Sequence, residues 1–195
     1  MLTILWLGMS YVVGAIPFGL VLTKMRGLPD PRMHGSRNMG ATNVARVCGT
    51  GCGVIVLILD ILKGLFAVGL ASSFSDSWLF LSLTALAVLL GHMYSAFLDG
   101  KGGKGVATTV GIYLGLTFWP AVLALIVCLT VIKLGGFVSL GSLVLVTLMP
   151  IFMLLTESYS LLPVTLIIMA LVYSRHKDNI QRLAIGEEQS WRNCA

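Results

Sequence analysis

The sequence predicts an all-α polytopic membrane protein with about seven transmembrane helices. Of its 195 residues, 57% are hydrophobic and 11% are charged, and the mean hydropathy of +0.95 lies well above that of soluble domains. Several apolar runs approach the roughly 20 residues that cross a bilayer core of about 30 Å. No run alternates apolar and polar residues as a barrel strand does, so helices are the structures expected to satisfy the backbone in lipid.

Seven apolar segments are expected to form these helices. Residues 106–134 are ambiguous, because they fit one long helix or two short helices broken near Pro120, and proline disrupts a helix interior. The segments are 2–23, 54–73, 78–92, 106–119, 120–134, 137–155 and 160–174.

The distribution of positive charge favours two short helices. Apart from Lys63, the thirteen Lys and Arg residues lie in alternate connectors or at their borders, and the connectors around Asp76, Pro120 and Glu157 contain none. Lys and Arg mark the cytoplasmic side, and two helices in 106–134 keep every basic connector on that side. The amino terminus is then outside and the carboxyl terminus cytoplasmic. Without a detectable internal repeat, residues 1–195 are expected to form a single domain.

Composition also argues against two classes of site. No CxxC pair is present, and only three histidines exist to complete a metal site, so we expect no metal and no disulfide framework. The net charge of +5 is not accompanied by a soluble domain or by aromatic residues between the basic ones, so no nucleic-acid partner is expected. The cysteines, read as small apolar residues, are Cys48, Cys52, Cys128 and Cys194.

The first polar stretch is "HGSRNMGATNVAR", residues 34–46. Its small residues allow backbone N–H groups to approach an anion, and Arg46 offers a planar fork for phosphate oxygens. A flexible loop rich in turn formers is the alternative, but the density of hydrogen-bonding groups favours a binding site. The polar side chains of this stretch are Ser36, Asn38, Thr42 and Asn43.

The second stretch is "GHMYSAFLDGKGGKGVATT", residues 91–109. It satisfies GxGxxG, but it follows a membrane helix. After the pattern, the next acidic residue is Glu157, far beyond the position about 20 residues on that a dinucleotide site requires, so such a site is not favoured. Lys104 precedes a glycine in place of Ser or Thr, so the P-loop pattern is not met either. What remains is an anion site at a helix amino terminus, made by Lys104 and glycine N–H groups. The glycines concerned are Gly102, Gly103 and Gly105.

The positive-inside rule is the alternative for both lysines of this loop. It explains Lys101, but it does not explain four glycines within residues 100–105, where chain flexibility is costly. His92, just before the loop, is a candidate general base or equally a hydrogen-bonding partner that holds the loop. Asp60 and Lys63, three residues apart in the second helix, are expected to neutralise one another, and ionisable groups at that depth are functional candidates.

The third stretch is "SRHKDNIQRL", residues 174–183. His176 and Asn179 are three residues apart and therefore share one helical face, which indicates recognition of a hydroxyl or phosphate group. The alternative is that the arginines of this segment contact anionic lipid headgroups. Ser139 and Ser142 begin the sixth helix, where their hydroxyls either cap the helix or contact a ligand.

The stretches "GSRNMGATN", "GHMYSAFLDGKGGKGVAT" and "SRHKDNIQRL", in this order and separation, resemble the bacterial acyl-phosphate:glycerol-3-phosphate acyltransferases, the PlsY family. The similarity extends over essentially the full chain. It implies a seven-helix enzyme of the bacterial inner membrane with its active site open to the cytoplasm. Such an enzyme transfers a fatty acyl group from acyl phosphate to the sn-1 hydroxyl of glycerol 3-phosphate, releasing lysophosphatidic acid and phosphate in the first step of phospholipid synthesis.

The resemblance also assigns residues and partners. Ser36 and Arg46 match substrate contacts of the first motif, Lys104 and its glycines match the phosphate-binding loop, and the third motif supplies His176 and Asn179. Acyl phosphate is already activated, so the expected chemistry is positioning and charge stabilisation without a cofactor or a covalent intermediate. The implied partners are glycerol 3-phosphate, acyl phosphate, membrane lipid and the soluble enzyme that forms acyl phosphate.

The donor prediction rests on an absent motif. The HxxxxD pair typical of acyl-CoA-dependent glycerolipid acyltransferases is missing, since Phe97 stands five residues after His92. Departures from the family pattern are Ser95 where proline is common, Gly100 where an aromatic residue is common, and Arg37 in place of a glycine. His92 and a phosphate oxygen of the substrate remain alternative proton acceptors. The rival interpretation, a transporter, is disfavoured because no repeat is visible and the polar groups cluster at one face.

Overall fold

The computed structural model describes residues 1–193, and within them the regular structure is helical throughout. This confirms the predicted all-α class. Cys194, predicted to be an apolar filler, lies outside the described residues. Two compact units are present, residues 1–115 and residues 116–193. The prediction of one domain over residues 1–195 remains a prediction.

Unit 1 contains the first six helices, with the last residue of α6 belonging to unit 2. The predicted first segment is two helices bent by 47°, because Pro17 holds the preceding Ile16 in an extended conformation at ψ 117°. A 3₁₀ turn, Ala96–Leu98, lies between α5 and α6. The helices are α1 (Leu2–Ala15), α2 (Phe18–Met25), α3 (Ala41–Cys48), α4 (Thr50–Ser72), α5 (Trp78–Met93) and α6 (Val106–Leu116).

Glycines allow the helices of unit 1 to pack closely. A Cβ atom on Gly14 of α1 would overlap the Val88 carbonyl of α5, and one on Gly64 of α4 would overlap the Thr108 carbonyl of α6. Small residues at such contacts let membrane helices approach backbone to backbone. This packing places Asp60 of α4 and Thr108 of α6 next to the last turn of α5, which carries His92.

Unit 2 contains four helices and two short 3₁₀ turns, Tyr159–Leu161 and Trp191–Asn193. The predicted break near Pro120 lies at Thr117 instead. Pro120 sits in the first turn of the following helix, where a missing N–H costs nothing because that group has no intrahelical acceptor. The helices are α7 (Phe118–Gly135), α8 (Val138–Leu155), α9 (Leu162–Arg175) and α10 (Lys177–Ala184).

The membrane character is clear from helix length and hydropathy. Among the described residues, four segments are long and apolar enough to cross a bilayer, and the count rises to six if the bent pairs α1–α2 and α9–α10 each form one span. Helix α6, with 11 residues, is about 16 Å long, too short to cross the core alone. The seventh span and the orientation of the termini therefore remain predictions.

Candidate functional site

Asn43 organises the first polar stretch from the start of α3. Its side-chain Nδ2 donates to the carbonyl oxygens of Pro31 at 2.8 Å, His34 at 3.1 Å and Asn38 at 2.9 Å. Its Oδ1 accepts the backbone N–H of Ser36 at 2.8 Å. The residue is 2% exposed. This geometry gives Asn43 a role in shaping the loop, and its predicted contact with the substrate stays a prediction.

Of the other polar groups of this stretch, one forms a hydrogen bond within the loop, and the remaining ones are described by their exposure. The Asn38 Oδ1 accepts the N–H of Gly40 at 2.8 Å and so helps to shape the loop just before α3. Ser36 is exposed, whereas Thr42 and Arg46 are half-buried. The predicted contacts of Ser36, Asn38, Thr42 and Arg46 with a substrate stay predictions.

Charged groups from two helices meet at His92. The Lys63 Nζ lies 2.8 Å from the Asp60 Oδ1, and the two side chains are 3% and 5% exposed. This confirms the predicted ion pair. The Nδ1 of His92 lies 3.1 Å from the Thr108 Oγ1 and 3.6 Å from the same Asp60 oxygen. No sequence pattern indicated this link between His92 and the pair, because the groups are far apart in the chain.

The two ring nitrogens of His92 have different surroundings. The Nδ1 faces the Thr108 hydroxyl and the Asp60 carboxylate, and a proton on this nitrogen would be attracted by the carboxylate. The Nε2 lies against Gly103, where a Cβ atom would overlap the ring. A small cavity of about 10 Å³, enough for about one water molecule, is lined by Lys63, Asp60 and His92 together with Gly102 and Gly103.

The glycine loop is pinned to the end of α5. The N–H of Gly102 donates to the Met93 carbonyl at 3.1 Å, and that of Gly103 donates to the His92 carbonyl at 3.1 Å. In this structure both N–H groups are donated to α5, and the predicted contact of these glycines with a substrate stays a prediction. Glycine is needed at both positions, because a Cβ atom on residue 102 would overlap the His92 carbonyl oxygen and one on residue 103 would overlap the His92 ring.

The predicted anion site, at a helix amino terminus beside Lys104, corresponds to the start of α6 and stays a prediction. The Gly105 residue has φ +86°, a conformation that favours glycine, and it turns the chain into the helix that begins at Val106. N–H groups in the first helical turn have no intrahelical acceptor, and the helix dipole favours an anion there. Lys104, half-buried two residues before the helix, adds a positive charge at the same end.

Glu188 is the centre of a hydrogen-bonded cluster in unit 2 that includes two of the predicted site residues, and sequence reasoning missed it. Its Oε1 accepts from the Ser139 Oγ at 2.6 Å and from the Asn179 Nδ2 at 2.6 Å. Its Oε2 accepts from the Arg182 Nε at 2.8 Å. The side chain is 7% exposed. A buried carboxylate needs such partners, so the glutamate and its three donors form one unit.

The remaining predicted residues of unit 2 are held by their own helices. The Nδ1 of His176 lies 2.8 Å from the Val172 carbonyl, which only accepts, so this nitrogen carries the proton. The Ser142 Oγ donates to the Val138 carbonyl at 2.8 Å. His176 is 2% exposed. The structure thus brings Asn179 and Ser139 together through Glu188, and it orients the imidazole of His176 by a backbone contact.

The carboxyl group of Glu188 predicts a sensitivity to acid. Burial raises its pKa, but the hydrogen bonds from Ser139, Asn179 and Arg182 outweigh that effect and leave the pKa below its usual value of 4.5. A lowered pKa in the folded state stabilises the fold above the usual value, and that contribution is lost as pH falls through the folded pKa. Below about pH 4.5 we expect wild-type stability to fall more steeply than that of Glu188→Gln. Thermal unfolding between pH 7 and pH 3.5 measures this, and parallel curves would contradict it.

The sequence belongs to a large set of similar proteins. Residues 4–186 match the family model for glycerol-3-phosphate acyltransferase. The chain is 47% identical over 190 residues to the glycerol-3-phosphate acyltransferase of Lawsonia intracellularis, covering 97% of this chain and 96% of that one. It is 59% identical over 189 residues to the enzyme of that name from Nitratidesulfovibrio vulgaris, covering 97% of this chain but 58% of the longer relative.

Solved structures agree with the sequence relatives. A crystal structure of PlsY (YgiH), an integral membrane glycerol 3-phosphate acyltransferase in its glycerol 3-phosphate form, has a TM-score of 0.92 and 38% identity, covering 97% of this chain and 96% of that one. The lysophosphatidic acid form gives 0.91 and 37%. Family, membrane helices and fold therefore coincide with the resemblance seen in the three motifs. The chain belongs to the glycerol-3-phosphate acyltransferase family, of the PlsY type.

Proposed function

We propose that this protein transfers a fatty acyl group from acyl phosphate to the sn-1 hydroxyl of glycerol 3-phosphate. The products are lysophosphatidic acid and inorganic phosphate. The observation that carries the proposal is Lys104 beside the amino end of α6, a site for a phosphate group, in a chain whose relatives act on glycerol 3-phosphate. The PlsY structures in glycerol 3-phosphate and lysophosphatidic acid forms support the acceptor and product, and the missing HxxxxD pair supports acyl phosphate as donor.

The reaction needs positioning more than covalent chemistry. Acyl phosphate is a mixed anhydride, and the hydroxyl oxygen of glycerol 3-phosphate attacks its carbonyl carbon. The carbon–oxygen bond to phosphate then breaks, phosphate leaves, and the hydroxyl proton passes to a base. Lys104 and the N–H groups at the start of α6 are proposed to stabilise the negative charge on the departing phosphate. Arg46 and Ser36 are proposed to hold the second phosphate-bearing substrate.

Two groups compete for the hydroxyl proton. The Nε2 of His92 is the accepting nitrogen when Asp60 and Thr108 hold the proton on Nδ1. A phosphate oxygen of the acyl phosphate is the alternative, and it delivers the proton directly to the leaving group. In unit 2, His176 and Asn179 are proposed to recognise glycerol 3-phosphate, and Ser139 and Ser142 of α8 are proposed to contact it as well.

Localisation and partners follow from the same proposal. The acyl chain is retained by lipid, so we place the protein in the bacterial inner membrane with its active site facing the cytoplasm. The basic connectors of the chain support this orientation. The soluble enzyme that forms acyl phosphate is then a natural partner, because the donor must reach a cytoplasmic site.

The direct test uses purified protein in detergent or lipid cubic phase with palmitoyl phosphate and glycerol 3-phosphate, without metal or coenzyme A. We expect phosphate and lysophosphatidic acid to appear in equal amounts. Product from palmitoyl-CoA but not from palmitoyl phosphate would overturn the proposed donor. No product from either, combined with uptake of glycerol 3-phosphate into protein-containing vesicles, would favour the transporter instead.

A further inference from the structure

A segment that follows α10 folds back onto the last turn of α7. Three residues, Ser190, Trp191 and Arg192, make this contact, and we call them the tail clasp. The Ser190 Oγ and the Trp191 N–H each donate to the Gly136 carbonyl at 3.0 Å. The indole N–H and the guanidinium donate to three more carbonyls, those of Ile132 at 3.2 Å, Lys133 at 2.5 Å and Leu134 at 3.1 Å.

The clasp fits the chemistry of a helix carboxyl end. The last four carbonyls of an α-helix have no intrahelical donor, and a positive charge is favoured beside them. Arg192 supplies both a donor and a charge. Gly136, at φ +83°, ends α7 in the left-handed conformation and leaves room for the tail, because a Cβ atom there would lie 2.9 Å from the Ser190 Oγ. Hydrogen bonds and the close fit at Gly136 therefore anchor the tail clasp to the end of α7.

The first residue of the tail clasp, Ser190, is two positions after Glu188 in the sequence. That glutamate is the acceptor for both Ser139 and Asn179. By taking the Nδ2 of Asn179, Glu188 fixes the orientation of the amide and turns its Oδ1 away from the glutamate.

We propose that the tail clasp is a positioning element for glycerol 3-phosphate: by anchoring the tail on α7 it holds Glu188, and through Glu188 it holds Asn179 and Ser139 ready for the acceptor substrate. The inference rests on the proposed function, in which Asn179 and Ser139 contact glycerol 3-phosphate. The clasp touches no reacting atom. Its loss therefore affects the affinity for one substrate and not the chemical step.

Two substitutions test the clasp without deleting the tail. Arg192→Ala removes the donor to the Lys133 and Leu134 carbonyls, and Trp191→Phe removes the indole N–H while keeping an aromatic ring. For Arg192→Ala we expect the KM for glycerol 3-phosphate to rise about tenfold, the effect of losing roughly one net hydrogen bond. The KM for palmitoyl phosphate and kcat should stay within about twofold of wild type. Arg192→Lys, which restores a cationic donor, should recover most of the affinity.

Lys133→Ala is the matched control. It removes one positive charge from the same helix end, but its backbone carbonyl still accepts from Arg192. We expect this variant to behave as wild type. If Lys133→Ala raises the KM as much as Arg192→Ala does, the effect is one of general charge and the proposal is wrong.

The same variants distinguish a positioning role of the clasp from a purely structural one. An unchanged KM in both Arg192→Ala and Trp191→Phe overturns the proposal. So does a fall in kcat that parallels a loss of folded protein, since that indicates a role in stability alone. Binding of glycerol 3-phosphate, measured by calorimetry on the same variants, does not depend on the acyl donor. Weaker binding by Arg192→Ala in a protein that does not use acyl phosphate would refute the proposed donor and still support the clasp.

Discussion

Replacing Lys104 with alanine is expected to lower acyl transfer at least about a hundredfold, because one preorganised charge at the developing anion is removed. The residue precedes α6 and is half-buried, beside N–H groups that have no intrahelical acceptor. In the proposed reaction its charge and the helix terminus act on the same phosphate group. The loss should appear in kcat/KM for palmitoyl phosphate and glycerol 3-phosphate, measured by phosphate release.

Lys101→Ala provides the matched control, since Lys101 lies three residues earlier in the same loop and is exposed. Its charge agrees with the positive-inside rule, and we expect activity within about twofold of wild type because an exposed charge contributes little. Both variants should keep the melting temperature of the wild type, since the loop is held by the backbone bonds of Gly102 and Gly103. Equal losses in the two variants would place the phosphate elsewhere.

The sequence was sufficient to predict the helical membrane class, because hydropathy and length leave a chain few structures in lipid. It was less reliable for the helix breaks. The single segment 2–23 is broken at Pro17, and the break expected near Pro120 lies at Thr117. Proline has opposite effects in a helix interior and in a first turn, and the local sequence does not show which position it occupies.

In the candidate site, contacts within one helix could be predicted from residue spacing, whereas contacts between distant parts of the chain could not. The pair of Asp60 and Lys63 was predictable because a spacing of three places both on one helical face. Its link to His92 joins α4 to the end of α5, and Glu188 reaches Ser139 across 49 positions of sequence. Such long-range contacts leave no periodic signal. The glycine loop was recognised from composition, but the pattern did not show that Gly102 and Gly103 donate their N–H groups to α5.

The largest expected effect on stability is at the buried ion pair. Asp60→Leu removes the carboxylate that neutralises Lys63 and leaves a cation 3% exposed within a membrane-spanning helix. Breaking a buried pair from one side costs about 3–5 kcal/mol of unfolding free energy, because the remaining charge has no counterion. The Ile16 carbonyl lies 3.2 Å from the Lys63 Nζ and the Phe18 ring lies 5.5 Å from it. Both contacts reduce the loss of unfolding free energy, but neither supplies a negative charge.

The double variant Asp60→Leu with Lys63→Met identifies the cause. Replacing both partners by apolar residues of similar size is often neutral, so we expect the double variant to regain most of the stability that the single variant loses. Unfolding by SDS titration in mixed micelles measures both. A single variant as stable as wild type, or a double variant less stable than the single, would mean that the pair does not act by charge neutralisation. A stable double variant with slow acyl transfer would show that Asp60 also serves His92, since that imidazole would then keep Thr108 but lose its carboxylate.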